Sequence, residues 1–309
     1  MRRDCQTAQA LSRTISYPLK HVVPCKPSDW GVGMTVCIAS TCYDGDKKCI
    51  IGITDKMLST SMASADDLAV KFTSVGNRWV AMFAGNDISP VVPILKTVKN
   101  LVSECQEESL EQIVDFFRTA IRKERTNRAE AIVLSKFDLS MAEFRSEGLA
   151  NLGSDLFTRL TYEIEQVSLD LTFLVYGFEG TEDPDAHIFS ITGSGEVSYY
   201  DIGGFWAIGS GQTSALGALF GLRSSVIYKQ LPDALYLLGK AKFSAESALG
   251  VGKETIAFVL EANSDRYLVH PAEMQKIKVI WEASRAPDVP IEVDAAVPEI
   301  LATSKAAFK

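Results

Sequence analysis

Five residues have the types and the order from which an acyl-transfer site can be assembled: Thr35, Asp55, Lys71, Gly85 and Ser210. Thr35 opens the run TVCIAST, Asp55 closes CIIGITD, Lys71 opens KFTSV, and Ala84-Gly85 close RWVAMFAG. A threonine hydroxyl is a weak nucleophile at neutral pH and needs a base within hydrogen-bond reach. An ammonium, a carboxylate and a backbone N–H are the groups that most often steady the charges such an attack creates. Taken singly, each residue has an ordinary structural use. Threonine favours strands, an aspartate can close one, a lysine can be a solvated charge, and Ser210 within Gly209-Ser210-Gly211 can cap a helix. Their order along alternating β-prone segments carries more weight than any one of them.

The segments that must position these residues begin near Met34. TVCIAST (35–41) and CIIGITD (49–55) flank the polar stretch 43–48, where Asp44-Gly45 marks a hairpin turn. KFTSV (71–75) and RWVAMFAG (78–85), parted by Gly76-Asn77, form a second hairpin. Four strands in succession predict an antiparallel sheet rather than βαβ units. Ser89-Pro90 predicts the N-cap and first turn of a helix running through VVPILKTVKNLVSECQ. A second helix is expected to run through Leu110, Ile113, Val114, Phe116, Phe117 and Ile121 and to extend to about residue 135. Strands follow at 171–179, 187–192 and 203–210, helices at 213–229 and 234–249, and a last core strand at 254–261. The predicted fold class is therefore α+β: a four-layer αββα sandwich of two antiparallel sheets flanked by helices. Residues 1–33, with Pro18, Pro24 and Pro27, are expected to be a disordered tail, a propeptide or a segment upstream of the true start. The domain is expected to span 34–283, and the Pro/Ala/Val-rich residues 284–309 to be a surface tail.

Composition narrows the function. A net charge of −8 and an isoelectric point near 5.1 oppose a nucleic-acid partner, which calls for a basic footprint. No apolar run reaches the ~18 residues that span a bilayer, so no membrane partner is expected. The six cysteines form no C-x-x-C pair, and only three histidines are present. Neither a disulfide framework nor a zinc site is expected, and reduced thiols fit a cytoplasmic protein. GVGKET (250–255) fails the phosphate-loop pattern because Glu254 follows Lys253, and Gly-Ser-Gly at 193–195 and 209–211 lacks the dinucleotide fingerprint. No cofactor and no metal are expected.

The stretch 34–85 resembles the start of proteasome β subunits and of the related bacterial two-ring protease subunit, members of the N-terminal-nucleophile (Ntn) hydrolase superfamily. In those families a threonine opens the first strand, an acidic residue ends the second, a lysine opens the third and an Ala-Gly pair ends the fourth. Here Thr35, Asp55, Lys71 and Ala84-Gly85 hold those places. The sixteen positions from Asp55 to Lys71 and the fourteen from Lys71 to Gly85 equal the family spacing. The twenty from Thr35 to Asp55 exceed it by about four, a surplus that the polar hairpin absorbs. AIGSGQTSALGALFG (207–221) and DALYLLGKA (233–241) resemble the family segments that lead into the third helix and form the helix after it.

The resemblance implies a threonine-type peptidase or amidohydrolase in which the free α-amine of Thr35 is the base. An α-amine titrates near ~7.7–8.0. Lys71 would lower that value by like-charge repulsion and stabilise the developing alkoxide. Asp55 would hold Lys71, the Gly85 N–H would receive the oxyanion, and Ser210 would relay the amine proton. A peptide or other small amide is the implied substrate, and a homo-oligomer the implied assembly. Two departures stand out. Family enzymes carry an aspartate and a serine just before the last core strand, where this chain has Ala248-Leu249-Gly250-Val251-Gly252-Lys253; their arginine after the first acidic residue is replaced by Lys56-Met57. A retained N-terminal extension would leave Thr35 nitrogen an amide without base character, so synthesis from Met34 and removal of that methionine is the expected route to a free Thr35. The alternatives are a non-catalytic relative serving as an assembly or binding module, and a non-peptide amidase on the same chemistry.

Overall fold

A computed structural model describes residues 35–59, 64–65, 70–105, 107–222 and 229–284; the expectations for 1–33 and for the tail beyond 284 lie outside them. The chain is a mixed α+β protein built on two five-stranded antiparallel sheets. The first hairpin forms as expected, with β1 (Cys37–Asp44) and β2 (Lys47–Asp55) joined at Gly45-Asp46. Two-residue strands β3 (Leu58–Ser59) and β4 (Ser64–Ala65) pair with each other. The second hairpin is β5 (Phe72–Ser74) and β6 (Trp79–Gly85). Helices α1 (Val91–Ser103) and α2 (Leu110–Ala129) follow, then α3 (Met141–Leu152) and α4 (Ser154–Glu165). Next come β7 (Leu171–Glu179), β8 (Asp185–Thr192), β9 (Val197–Tyr199) and β10 (Phe205–Ile208). Helices α5 (Gln212–Phe220) and α6 (Leu231–Ala245), strands β11 (Thr255–Glu261) and β12 (Arg266–Val269), and helix α7 (Pro271–Ala283) complete the order.

One sheet runs β10-β1-β2-β11-β12 and the other β5-β6-β7-β8-β9, so the first hairpin is extended on both sides and the second through β6, with β5 at the sheet edge. Alternation sorts the side chains. Cys37 and Ala39 of β1, Ile50 of β2 and Phe258 of β11 meet Val80, Met82, Leu174 and Tyr176 in a core between the sheets. Ile38, Ile51 and Ile53 point the other way, onto Ala215, Leu238 and Phe243 of α5 and α6 and Met274 of α7. Trp79, Phe173 and Phe189 leave the opposite face of the second sheet for Ile94 and Val98 of α1 and Phe117 of α2.

Several expectations are corrected. Ser89 does not cap α1: its hydroxyl bonds Asp87 and the N-cap is Pro90, without a side-chain bond. The long second helix leaves the α-helical path at Ala129 for a π-turn (Glu130–Leu134) and a 3-10 turn (Ser135–Phe137). The helix expected over 213–229 ends at Phe220, and 223–228 lie outside the described residues; the next begins at Leu231 and stops at Ala245 rather than 249. The helical pair α3–α4 with its own small core around Leu134, Phe144 and Leu160, the short strands β9 and β12, and helix α7 were not foreseen.

Candidate functional site

The site forms where three strand ends converge. Asp55 ends β2, which is paired on one side with β1 and on the other with β11, so two ladders fix its Cα. Thr35 precedes β1, its carbonyl accepting the Gly211 N–H at 3.2 Å. Lys71 precedes β5, its carbonyl accepting the Phe83 N–H at 3.3 Å.

These placements bring three side chains into direct contact. Lys71 Nζ donates to Thr35 Oγ1 at 2.5 Å and to Asp55 Oδ2 at 2.8 Å, and Thr35 Oγ1 donates to Asp55 Oδ1 at 2.5 Å. Thr35 is 3% exposed, Lys71 5% and Asp55 0%. Burying such charges is costly unless each is paired and hydrogen-bonded. Here Asp55 also accepts the N–H groups of Val36 at 2.9 Å, Met57 at 3.1 Å and Gly252 at 3.4 Å. The carboxylate therefore touches the threonine hydroxyl as well as the lysine, a contact the sequence did not suggest.

Ser210 lies on the other side of Thr35, its Oγ accepting the Thr35 N–H at 3.2 Å and donating to the Thr35 carbonyl at 3.3 Å. It also reaches the Leu249 carbonyl at 3.5 Å. Gly209 makes this approach possible: its φ is +98°, and a Cβ there would stand 2.3 Å from the Thr35 carbonyl oxygen.

Gly85 is placed by the sheet. The Asn86 N–H bonds the Asp170 carbonyl at 3.0 Å, and the Phe83 N–H bonds Lys71 on the other edge. Since N–H direction repeats every second residue, the Gly85 N–H faces the Lys71 edge, just beyond that pairing. A cavity of about 240 Å³ lies here, lined by Gly85, Asn86, Asp170, Thr172, Gly209 and Ser210 among others. Thus the structure gathers Thr35, Asp55, Lys71 and Ser210 by direct bonds and sets Gly85 on the same cavity as Ser210.

The sequence missed the supports. Lys242 on α6 is fully buried, donating to Glu246 at 2.6 Å and to the Gly252 and Lys253 carbonyls at 2.8 and 3.1 Å. Glu246 is shared with Lys278 at 2.6 Å. Burial pushes the Lys242 ammonium below the ordinary lysine range, against the pull of Glu246 and Asp55. Lys242 thereby ties down the loop whose Gly252 N–H reaches Asp55. The turn after Gly85 is held likewise: Asn86 Nδ2 donates to Asp170 Oδ2 at 2.5 Å, and Asp87 pairs with Arg128 of α2 at 2.5 Å. The one available signal was the i,i+4 spacing of Lys242 and Glu246. Neighbouring Cys37 is no rival nucleophile, because burial pushes its thiol up to about 11. Among the described residues no three His, Cys, Asp or Glu side chains gather as metal ligands, and no helix is long and apolar enough to cross a membrane.

No protein-family model matches the chain, and no curated protein matches it. The functional reading therefore rests on the residues and their geometry.

Proposed function

We propose that this chain is an Ntn hydrolase of the proteasome β-subunit type that cleaves a peptide or other small amide through Thr35. The observation that carries the reading is the buried contact of Lys71 Nζ with both the Thr35 hydroxyl and Asp55. A lysine whose ammonium touches a hydroxyl oxygen stabilises the alkoxide as its proton leaves. Three cores, one between two sheets and one on each outer face, are the packing that a four-layer αββα sandwich requires.

In the reaction, a Thr35 freed of residues 1–34 would carry an α-amine at the nitrogen that now contacts Ser210 Oγ. That amine takes the hydroxyl proton, and Oγ1 attacks the substrate carbonyl carbon. The carbonyl electron pair moves to oxygen, where the Gly85 N–H receives it. Collapse expels the leaving amine, protonated from the α-amine through Ser210, and leaves an ester on Thr35. Water activated by the same amine then hydrolyses that ester. The reading takes several copies of this chain as the assembly and the cytoplasm as the compartment.

Intact-mass measurement of the native protein, followed by treatment with a threonine-directed β-lactone, tests this. The expected result is a chain beginning at Thr35 that gains one lactone mass there. Thr35→Ala should abolish the adduct, and Lys71→Met should slow its formation by about 10²–10⁴-fold, the range typical of a proton-transfer partner. A chain that begins at Thr35 and gains no adduct would refute the enzyme. It would favour a non-catalytic subunit, toward which one observation points: Ser210 faces the Leu249 carbonyl where the enzymes resembled bring a carboxylate.

A further inference from the structure

The cavity beside Gly85 and Ser210 has one charged wall. Asp170 is the sole ionisable side chain among its described lining residues, and no lysine, arginine or histidine among the described residues forms an ion pair with it. Its carboxylate is held in place: Oδ2 accepts Asn86 Nδ2 at 2.5 Å, while its own carbonyl accepts the N–H groups of Asn86 at 3.0 Å and Asp87 at 3.4 Å. The neutral amide of Asn86 orients this charge without cancelling it. Asp87 does not compete for a ligand, since Arg128 is committed to it. At about 240 Å³ the space falls below the ~300–1,000 Å³ that encloses a drug-sized molecule. It suits one side chain or a small amine. Of the other described lining residues, Ala84, Leu171, Thr172 and Gly209 offer apolar contact for a stem, and none is a cation that would repel a positive head.

We propose that this cavity is a specificity subsite for a positively charged group of the substrate, a lysine- or arginine-like side chain or an amine, with Asp170 as its counter-charge. The proposal deepens the hydrolase reading and rests on it for the word substrate. The recognition itself requires only the cavity and the carboxylate. A charged pair in a partly open site is attenuated by water and salt, so the preference is moderate and shrinks as ionic strength rises.

The test separates binding from turnover. Thr35→Ala protein would be titrated with tripeptide amides carrying the same neutral fluorophore and differing only in a central Lys, Met or Glu, read by fluorescence anisotropy at low and high salt. The expected result is Lys bound at least about tenfold tighter than Glu, or about 1.4 kcal/mol, with Met between and the ratio falling in high salt. Asp170→Asn should bring the ratio to within about twofold, and Asp170→Glu should restore it. Equal affinities in the Thr35→Ala protein, or a Lys preference that Asp170→Asn leaves intact, would overturn the proposal. Both comparisons are ratios within one protein, so a uniform loss from poor folding does not imitate them. Charge-selective binding without any β-lactone adduct on the parent Thr35 would sink the hydrolase and leave the subsite standing; an adduct without charge selectivity would do the reverse.

Discussion

Replacing Lys242 by Met removes an ammonium from a fully buried position while keeping a side chain of similar length. The Gly252 carbonyl loses its donor, left unsatisfied at ~1–3 kcal/mol, while the Lys253 carbonyl loses the ammonium but keeps the Thr255 hydroxyl at 3.4 Å. Two effects work the other way. The ammonium no longer has to be desolvated, and Glu246 keeps Lys278 at 2.6 Å, so its charge is not orphaned. The cost therefore falls below the ~3–5 kcal/mol of a broken buried pair. We expect about 1–3 kcal/mol, which at ~2–4 °C per kcal/mol lowers Tm by roughly 2–12 °C. Lys278→Met alone should cost less, because its partner keeps Lys242. The double variant leaves Glu246, only 10% exposed, without any cation, so it should cost more than the sum of the two. Urea denaturation of the four proteins measures this cycle. A Lys242→Met protein within 0.5 kcal/mol of the parent, or an additive double variant, would refute the shared role of Glu246 and with it the argument that this cluster braces the Gly252 loop against Asp55.

Gly209→Ala should lower stability by at least ~2 kcal/mol, since a non-glycine residue there meets both a left-handed backbone and the Thr35 carbonyl; wild-type stability by urea denaturation would contradict the reading. His187 behaves as a pH-dependent contributor. Burial opposes its charge, but Asp201 at 2.8 Å and Glu179 at 3.5 Å outweigh burial and raise its pKa. A raised folded pKa gives stability that is fully present below the unfolded value near ~6.5 and fades as pH climbs through the folded one. His187→Gln should thus lower Tm more at pH 5.5 than at pH 9, and an equal loss at both would count against the ion pair.

What the sequence disclosed and what it hid follow one physical line. Hairpins were legible because Asp44-Gly45 and Gly76-Asn77 are local turn signals between alternating runs. Thr35, Asp55, Lys71 and Gly85 stood out through the resemblance of their order and spacing to a family pattern, and each lies at or beside a strand end, where spacing along the chain translates into position. Asp170 and Asn86 were not, because what makes them neighbours is the β6–β7 register, a contact across more than eighty residues. Lys242 carries no signal beyond its i,i+4 spacing to Glu246, since a lysine on a helix is ordinarily solvated. Helix α7 did leave a trace, with Pro271 at its first position and Met274, Ile277 and Trp281 at helical spacing against the core. By contrast, α3 and α4 pack chiefly on each other and on the π-turn around a small core. Helix α3 has only a weak apolar stripe, whereas Leu156, Phe157, Leu160 and Ile164 give α4 a helical stripe that the sequence reading passed over.

The hairpin between β1 and β2 sets a rule for how this molecule tolerates length change. Eight residues of β1 at ~3.4 Å each put the Gly45 turn roughly 25 Å from the Thr35 end. Register at that far end is pinned by β10 on β1 and by β11 on β2. Residues added at the tip in pairs would prolong the ladder, while a single extra residue would have to be absorbed as a bulge. Gly45 at the tip exchanges two exposed bonds with Gln230, its N–H donating to Oε1 and its carbonyl accepting from Nε2. Just behind it, the Tyr43 N–H bonds the Lys229 carbonyl and Lys48 pairs with Asp183. The tip is therefore the natural seat for a peptide tag or a reporter, remote enough that the chemistry at the other end need not register its presence.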